Sequence, residues 1–390
     1  MIEIVNPMHR LWSDGRWNKL TLAHGCYWGK CTFCDISLDY IQRYEPITVS
    51  LLCDRMEEMI AQTGENGFHF VDEAAPPALM RELALEIIRR GLTVVWWTNI
   101  RFEKSFTYDL CVLLKESGCI AISGGLEVAS DRLLDLIKKG VTVAQVTKVA
   151  ENLTRAGIMV HAYLMYGFPT QTAQETIDSL EVVRQLFMHG VVQSGFWHQF
   201  AMTAHSPVGL NPEMFGAKRA VLENGLFANN DLIHIDETGA EHELFSEGLR
   251  KSLFNYMHGI CFDFPLQKWF DFKVPRTTIA PDYIENILNQ EEFGSPKPMA
   301  KIVWLGTQPQ VRYFTKKKKG REFEMAELLF HLKKHDLVVE LKAEWANWLL
   351  QLLPKISVDN PEVMTYKQVQ QDFEQQGWED FPLFWFSEAL

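Results

Sequence analysis

Residues 18–34 read NKLTLAHGCYWGKCTFC. The first six residues predict a short strand, spanning 18–23 and ending at His24-Gly25. A cysteine cluster follows at once: Cys26, Cys31 and Cys34, spaced C-x4-C-x2-C. A loop at the carboxyl end of a strand is where α/β proteins place their sites. Three thiols this close either converge on one metal centre or are inert, and their setting among Gly25, Gly29 and Lys30 rather than core residues predicts the metal centre.

The number of donors carries information. A structural zinc site takes four protein ligands, whereas a [4Fe–4S] cluster held by three cysteines leaves one iron open to a small molecule. Cys53, Cys111, Cys119 and Cys261 fall on helix or strand patterns and read as buried small hydrophobes. The same spacing occurs in [2Fe–2S] proteins with a distant fourth cysteine. Cys53 is then the fourth ligand to consider, although it sits on an amphipathic helix.

Working outward, the chain alternates short apolar runs with helix-period segments. Helices are expected over 49–62, from Pro76-Pro77 to Arg90, over 106–117, 130–138, 143–156 and 172–189. Strands are expected over 67–73, 92–99, 119–127, 158–167 and 195–202. Six strand–helix steps in succession predict a parallel sheet with helical crossovers, either doubly wound or a partial barrel. After residue 205 the rhythm breaks. Residues 205–240 read as loops, 240–258 and 281–291 as helices, and GSPKP (294–298) as a linker. Beyond it a strand is expected at 301–305, helices near 322–334 and 342–353, and a helix opening at Thr365. The ending FPLFWFSEAL suggests a docked last helix or a chain cut short.

Composition bounds the function. The 390 residues carry 38 basic and 50 acidic side chains, a formal net charge of −12, with 47% hydrophobic and 23% charged residues. That is a globular balance with chain enough for two or three domains. The acidic excess argues against binding driven by phosphate contacts, and the one basic run, Lys316 to Lys319, reads as a solvated loop. No apolar stretch approaches the roughly 20 residues needed to span a bilayer, and the N-terminus lacks a secretory pattern. Seven cysteines, three of them clustered, fit ligating thiolates in a reducing cytoplasm better than a disulfide framework.

The cysteine loop after the first strand, with Phe33 just before the third cysteine and a βα series behind it, resembles the radical S-adenosylmethionine (SAM) superfamily. The usual motif is C-x3-C-x2-C, so this loop carries one extra residue between Cys26 and Cys31. ISGGLEVASDRLLDLIKKGVT (122–142) is similar to the SAM-ribose segment of the methylthiotransferase-like and cobalamin-associated branch, with Glu127 matching its acid and Val128 replacing its serine. AGIMVHAYLMYGFPTQT (156–172) looks like that branch's fifth strand and Gly-Phe-Pro-Gly-Glu-Thr ending, with Thr170 and Gln171 as departures. The resemblance covers roughly residues 18–205.

It implies a (βα)6 partial TIM barrel over 1–215, a helical extension over 216–295, and a smaller C-terminal α/β or winged-helix-like domain over 296–390. It also implies a [4Fe–4S] cluster on Cys26, Cys31 and Cys34, with SAM on the open iron. One electron to the sulfonium would give a 5′-deoxyadenosyl radical that takes hydrogen from a substrate. Cofactor contacts are expected from Phe33, Asp72, Glu73, Arg101, Gly124, Gly125, Glu127 and Gly167. For Asp72 and Glu73 the alternative is acids favoured by a helix N-terminus; for Arg101 it is a surface ion pair. Asn99 ends the same strand as Arg101, and His24 abuts the cluster. His161, Tyr163 and Met165, with His198, Phe200 and Met202, either line a substrate cavity or fill the core. The aromatic pairs Trp96-Trp97 and Phe196-Trp197 read as core.

A small-molecule or peptide substrate and an electron donor such as flavodoxin or ferredoxin are expected, with no nucleic acid and no membrane. Cobalamin enters only through a missing domain or a partner, since no Asp-x-His-x-x-Gly loop is present. A second cysteine cluster is absent too, which disfavours tRNA methylthiolation. Two readings from other classes stay open: an Fe–S electron-transfer protein completed by Cys53, and a zinc-stabilised scaffold.

Overall fold

The computed structural model describes residues 17–220, 230–236, 239–290, 297–318, 320–331, 336–360, 362–379 and 381–385. The chain divides into two compact units, Met1–Glu291 and Glu292–Leu390.

The first unit is built on six parallel strands paired in chain order: β1 Asn18–Leu20, β2 Gly67–Phe70, β3 Val95–Ile100, β4 Cys119–Glu127, β5 Met159–Tyr166 and β6 Ser194–Gln199. The end strands β1 and β6 each have one neighbour in this sheet, so the barrel is partial. Between and after the strands run α1 Val49–Thr63, α2 Pro77–Arg89, α3 Tyr108–Glu116, α4 Asp131–Leu136, α5 Val143–Arg155, α6 Ala173–Met188, α7 Ser246–Met257 and α8 Tyr283–Leu288.

The helices begin where local chemistry dictates. Pro77 opens α2 with its φ already fixed, and Thr107 and Thr142 accept amide protons at the starts of α3 and α5. Thr172 and Glu175 form a reciprocal capping box on α6. The apolar faces of these helices cover one side of the sheet. Phe68, Phe70, Trp96, Ile122, Val160 and Leu164 pack there with Met80, Leu83, Ile87, Leu114 and Leu153 in a single core. Because strand side chains alternate, the other face carries His69, Trp97, Asn99, Ser123, His161, Tyr163, Ser194, Phe196 and His198. Strand register sets Asn99, Ser123, His161 and Ser194 side by side. That face is far more polar than the helical one. The segment after β6 belongs to the same unit: α7 packs on β6 and α6, and α8 on α5 and α6.

The second unit holds an antiparallel meander, β7 Gln310–Lys318, β8 Arg321–His331 and β9 Asp336–Lys342, followed by α9 Ala343–Lys355, α10 Tyr366–Glu374 and α11 Phe381–Trp385. Ala326, Leu328, Phe330, Val339 and Leu341 form the inner face of the sheet, against Trp348, Leu352, Phe373, Phe381 and Phe384.

Three expectations fail in this unit. The helix expected near 322–334 is strand β8: its inward residues Ala326, Leu328 and Phe330 alternate, but apolar Met325 and Leu329 between them blur the period. The lysine run is not a loop, because Lys316 to Lys318 end β7, where Lys316 pairs with Glu340 and Lys317 with Glu322 at 2.7 Å. The strand expected at 301–305 reduces to single bridges at Lys301 and Trp304. Gly294 to Pro296 of the expected linker, and the last five residues, lie outside the described residues. Among the described residues no helix is long and apolar enough to cross a membrane.

Candidate functional site

The cysteine loop leaves β1 and is fixed from two sides. On one side both Asp72 oxygens accept the Leu22 amide (3.1 and 3.0 Å), and Oδ1 accepts the Ala23 amide at 2.9 Å. Ala23–His24 then pairs with Glu45–Pro46, and the Cys26 amide donates to the Ile41 carbonyl at 2.9 Å. Gly25 has φ +72°, and a Cβ there would lie 2.5 Å from the Arg43 carbonyl oxygen, so only glycine lets the two chains cross.

On the other side the loop closes the carboxyl end of α4. The Leu136 and Ile137 carbonyls accept from the Thr32 hydroxyl (3.3 Å) and amide (2.9 Å). The Lys138 carbonyl accepts from the Trp28 indole (2.9 Å), and that of Lys139 from Arg101 Nη2 (2.6 Å). A helix end leaves its last carbonyls without intrahelical partners; here the cysteine loop and Arg101 supply them. Trp28 belongs to the C-x4-C span, and Gly29 beside it takes a left-handed φ of +56°. The indole lies 3.6 Å from the Arg101 guanidinium, over Gly140, where a Cβ would fall 2.2 Å from the ring.

All seven cysteines are free thiols. Cys31 is buried, while Cys26 and Cys34 are half-buried. The Cys34 thiol donates to Cys31, pulling Cys31 down to about 7 against the effect of burial and pushing Cys34 upward. Among the described residues no three His, Cys, Asp or Glu side chains gather closely enough to hold a metal ion. Cys53 is fully buried on α1 beside Leu52 and Met56, with Arg90 and Glu86 of the α2 region as its charged neighbours, and burial pushes it up to about 11. It lies in the helical layer, so it gives the electron-transfer reading no fourth ligand.

Beside Phe33 stands a buried ion pair. Lys139 Nζ is 2.6 Å from Glu127 Oε1 and 5.6 Å from the Phe33 ring centre. Burial alone would push the Lys139 amine down, but Glu127, Cys31 and Cys34 together hold it above its ordinary value. Glu127 ends β4 at a register shift against β5, with φ +57°, a strained conformation for any residue but glycine. A Cβ on Gly125 would fall 1.9 Å from the Glu127 carboxylate and 2.5 Å from Lys139 Nζ, and one on Gly124 would fall 2.5 Å from Phe102. Gly125 thus makes room for the ion pair and Gly124 for an aromatic ring.

The remaining expected contacts divide. Asp72 is committed to the amides of β1's exit, and burial outweighs those bonds to raise its carboxyl. Neither Asp72 nor Glu73 lies in a helix first turn, since α2 begins at Pro77. Glu73 is exposed and lines a cavity of about 290 Å³ with His24, Gly25 and Arg43. Arg101 is no surface residue: it is 4% exposed, its Nη1 bonds Glu103 at 2.6 Å, and its Nε is buried without a hydrogen-bond partner. Asn99 Oδ1 is likewise buried and unfilled. The Gly167 amide donates to Gln171 Oε1 at 2.7 Å, and a Cβ there would press on His242 at 3.2 Å. Thr170 keeps φ +71°, the conformation a glycine takes freely, held by Asp236 on its amide and Arg132 on its carbonyl.

His161 is buried and bonded to Ser194 at 2.6 Å, Met165 is core, and Phe196 is 58% exposed with His198 stacked beside it. Trp96 and Trp197 are core, as expected, while Trp97 lies on the opposite face against His69. The sequence reading missed Lys139, Trp28 and the His242–Asp236 pair. Glycines at 125 and 140 were the available signal for the first two.

Residues 20–183 match the family described as the Radical SAM superfamily. An uncharacterized methyltransferase of Pyrococcus horikoshii is 25% identical over 183 residues, covering 46% of this chain and 39% of the relative. The anaerobic magnesium-protoporphyrin IX monomethyl ester cyclase of Rubrivivax gelatinosus is 27% identical over 167 residues, 42% of this chain and 29% of the cyclase. This chain thus spans two fifths or less of those relatives. The structure of the radical SAM methyltransferase TsrM from Kitasatospora setae, with cobalamin and a [4Fe–4S] cluster bound, gives a TM-score of 0.49 at 18% identity, over 62% of this chain and 52% of that one. The family match covers a segment that runs from the first strand of the parallel sheet through the cysteine loop to its sixth helix, and this segment is similar to the radical SAM superfamily.

Proposed function

We propose that this chain binds a [4Fe–4S] cluster through Cys26, Cys31 and Cys34, cleaves SAM reductively, and abstracts hydrogen from a small-molecule or peptide substrate. The observation that carries the reading is a triad of free thiols at the carboxyl edge of the sheet, with the only other cysteine weighed as a ligand buried in the helical layer. Such a donor set fits a cluster with one open iron and does not fit a four-cysteine electron carrier. When bound, the cluster supplies one electron to the SAM sulfonium, releasing methionine and a 5′-deoxyadenosyl radical.

The chain's own residues hold and orient. The α4 carbonyls and Asp72 fix both flanks of the loop. Glu73, His24 and Arg43 line the opening between the exits of β1 and β2, where a charged amino-acid moiety would find both signs of partner. Arg101 Nε and Asn99 Oδ1 are buried polar atoms still lacking partners, and buried polar atoms are normally satisfied. The polar sheet face bearing Ser123, Tyr163, Phe196 and His198 is the wall a substrate would meet.

The names of the relatives make methyl transfer and ring closure the reaction classes to test first. Cobalamin, if used, comes from a domain or partner outside this chain, and the electron from a flavodoxin or ferredoxin. The net charge of −12 speaks against a nucleic-acid substrate. The reading is tested by anaerobic reconstitution with iron and sulfide, metal and sulfide analysis, and electron paramagnetic resonance (EPR) of the reduced protein. Four irons per chain and a cluster signal that changes on adding SAM are expected, both lost in a Cys26/Cys31/Cys34→Ala triple variant. Stoichiometric zinc with no iron uptake would overturn it.

A further inference from the structure

The buried pair of Lys139 and Glu127 joins an acid expected to contact SAM to a lysine given no role so far, and the chain goes to some length to keep it. Gly125 is the floor beneath both charged groups, Glu127 accepts a left-handed backbone to reach its place, and both side chains are nine-tenths buried or nearly so. Buried ion pairs are poor sources of stability, because desolvation offsets most of the attraction. A pair maintained at this cost, next to Phe33 and the Cys31–Cys34 thiols, calls for an electrostatic explanation.

Resting on the cluster reading above, we infer that Lys139 and Glu127 form a charge couple that sets the reduction potential of the cluster held by Cys26, Cys31 and Cys34. Lys139 Nζ lies over the Phe33 ring, between the second and third cysteines in sequence. Of the other cations nearby, Arg101 is paired with Glu103 at 2.6 Å and directs its Nη2 at a carbonyl, and Lys30 lies over the Trp28 ring at 4.6 Å. A four-iron cluster on three thiolates carries one net negative charge before reduction and two after it. A nearby ammonium therefore favours the reduced form, and a nearby carboxylate the oxidised form, in a site where little water screens either. The cluster meets the difference of two opposed terms, which can be moved either way by removing one partner. Lys139 and Glu127 are thus positioning residues for charge, acting through the cluster rather than on the substrate.

The test is a redox titration of the reconstituted full chain without SAM, with the reduced-cluster EPR signal as readout. Lys139→Met is expected to move the midpoint to more negative potential, and Glu127→Gln to move it to less negative potential. Lys139→Arg should keep the wild-type value, and the double variant Lys139→Met/Glu127→Leu should return towards it. A purely structural pair would give shifts of one sign, or none. Midpoints that ignore both single substitutions, or move the same way in both, would overturn the inference. Should Lys139→Met lose iron, the opposed shifts of Glu127→Gln and Lys139→Gln decide the matter. A wild-type chain that holds no four-iron cluster would instead sink the reading on which the inference rests.

Discussion

Gly140→Ala isolates the contact that seats the cysteine loop. Gly140 has φ +72°, and a Cβ there would lie 2.2 and 2.5 Å from two indole carbons of Trp28 and 3.0 Å from Arg101 Nη2. The ring must move, because no real contact is that short. An alanine in the left-handed region costs about 1–2 kcal/mol by itself. Displacing Trp28 also removes its stacking on Arg101, about 0.5–2 kcal/mol, and its indole bond to the Lys138 carbonyl, about 1 kcal/mol. The whole comes to about 2.5–5 kcal/mol.

Gly91 provides the control, since it has φ +63° and nothing within 4 Å of its notional Cβ. Gly91→Ala should therefore cost only the backbone strain. Urea unfolding of the reduced chain, followed through the transition of the first unit, measures both variants. Iron uptake on reconstitution should fall in Gly140→Ala and hold in Gly91→Ala, because Trp28 sits between Cys26 and Cys31 in the loop. Equal destabilisation by the two substitutions, with equal iron uptake, would refute the claim that Trp28 on Gly140 holds the loop.

Cys53→Ala should leave iron and sulfide content unchanged and lower stability modestly through a small cavity; loss of the cluster would restore the four-cysteine reading. Asp72 has its carboxyl raised in the folded state, chiefly by burial. Its contribution is thus complete below about pH 4 and lost as the pH rises through the raised value. Asp72→Asn should remove that component, and parallel stability–pH curves for variant and wild type would contradict it. His69 is pushed down to about 4, by burial first and then by Lys19. It therefore contributes stability above about pH 6.5 that is lost as the pH falls towards its folded value, and His69→Gln should flatten that limb of an acid-unfolding curve.

The parallel sheet was legible because its strands and helices keep separate periods; β4, read as 119–127, begins and ends where the structure places it. The second unit was harder. Residues 322–331 put apolar side chains at 323, 325, 326 and 328–330, a pattern that serves a helix face as well as a strand, and tertiary packing against α9 decided between them. The cysteine triad was readable from spacing alone. Its supports were not, because the carbonyls at and just after the end of α4 meet Thr32 and Trp28 from some hundred positions away and Arg101 from 38. Arg101 illustrates the limit: the sequence offers a cation at a strand end, and only the fold shows both of its Nη groups already engaged. Gly124 and Gly125 were expected to contact the cofactor, and the fold adds what their missing side chains leave room for, Phe102 and the Lys139–Glu127 pair.

The most direct measurement is anaerobic formation of 5′-deoxyadenosine from SAM by the reconstituted, dithionite-reduced chain. The account predicts product that requires Cys26, Cys31 and Cys34 and persists in Cys53→Ala. An intact four-iron cluster that binds SAM yet yields no 5′-deoxyadenosine, even with a flavodoxin or ferredoxin as reductant, would contradict it.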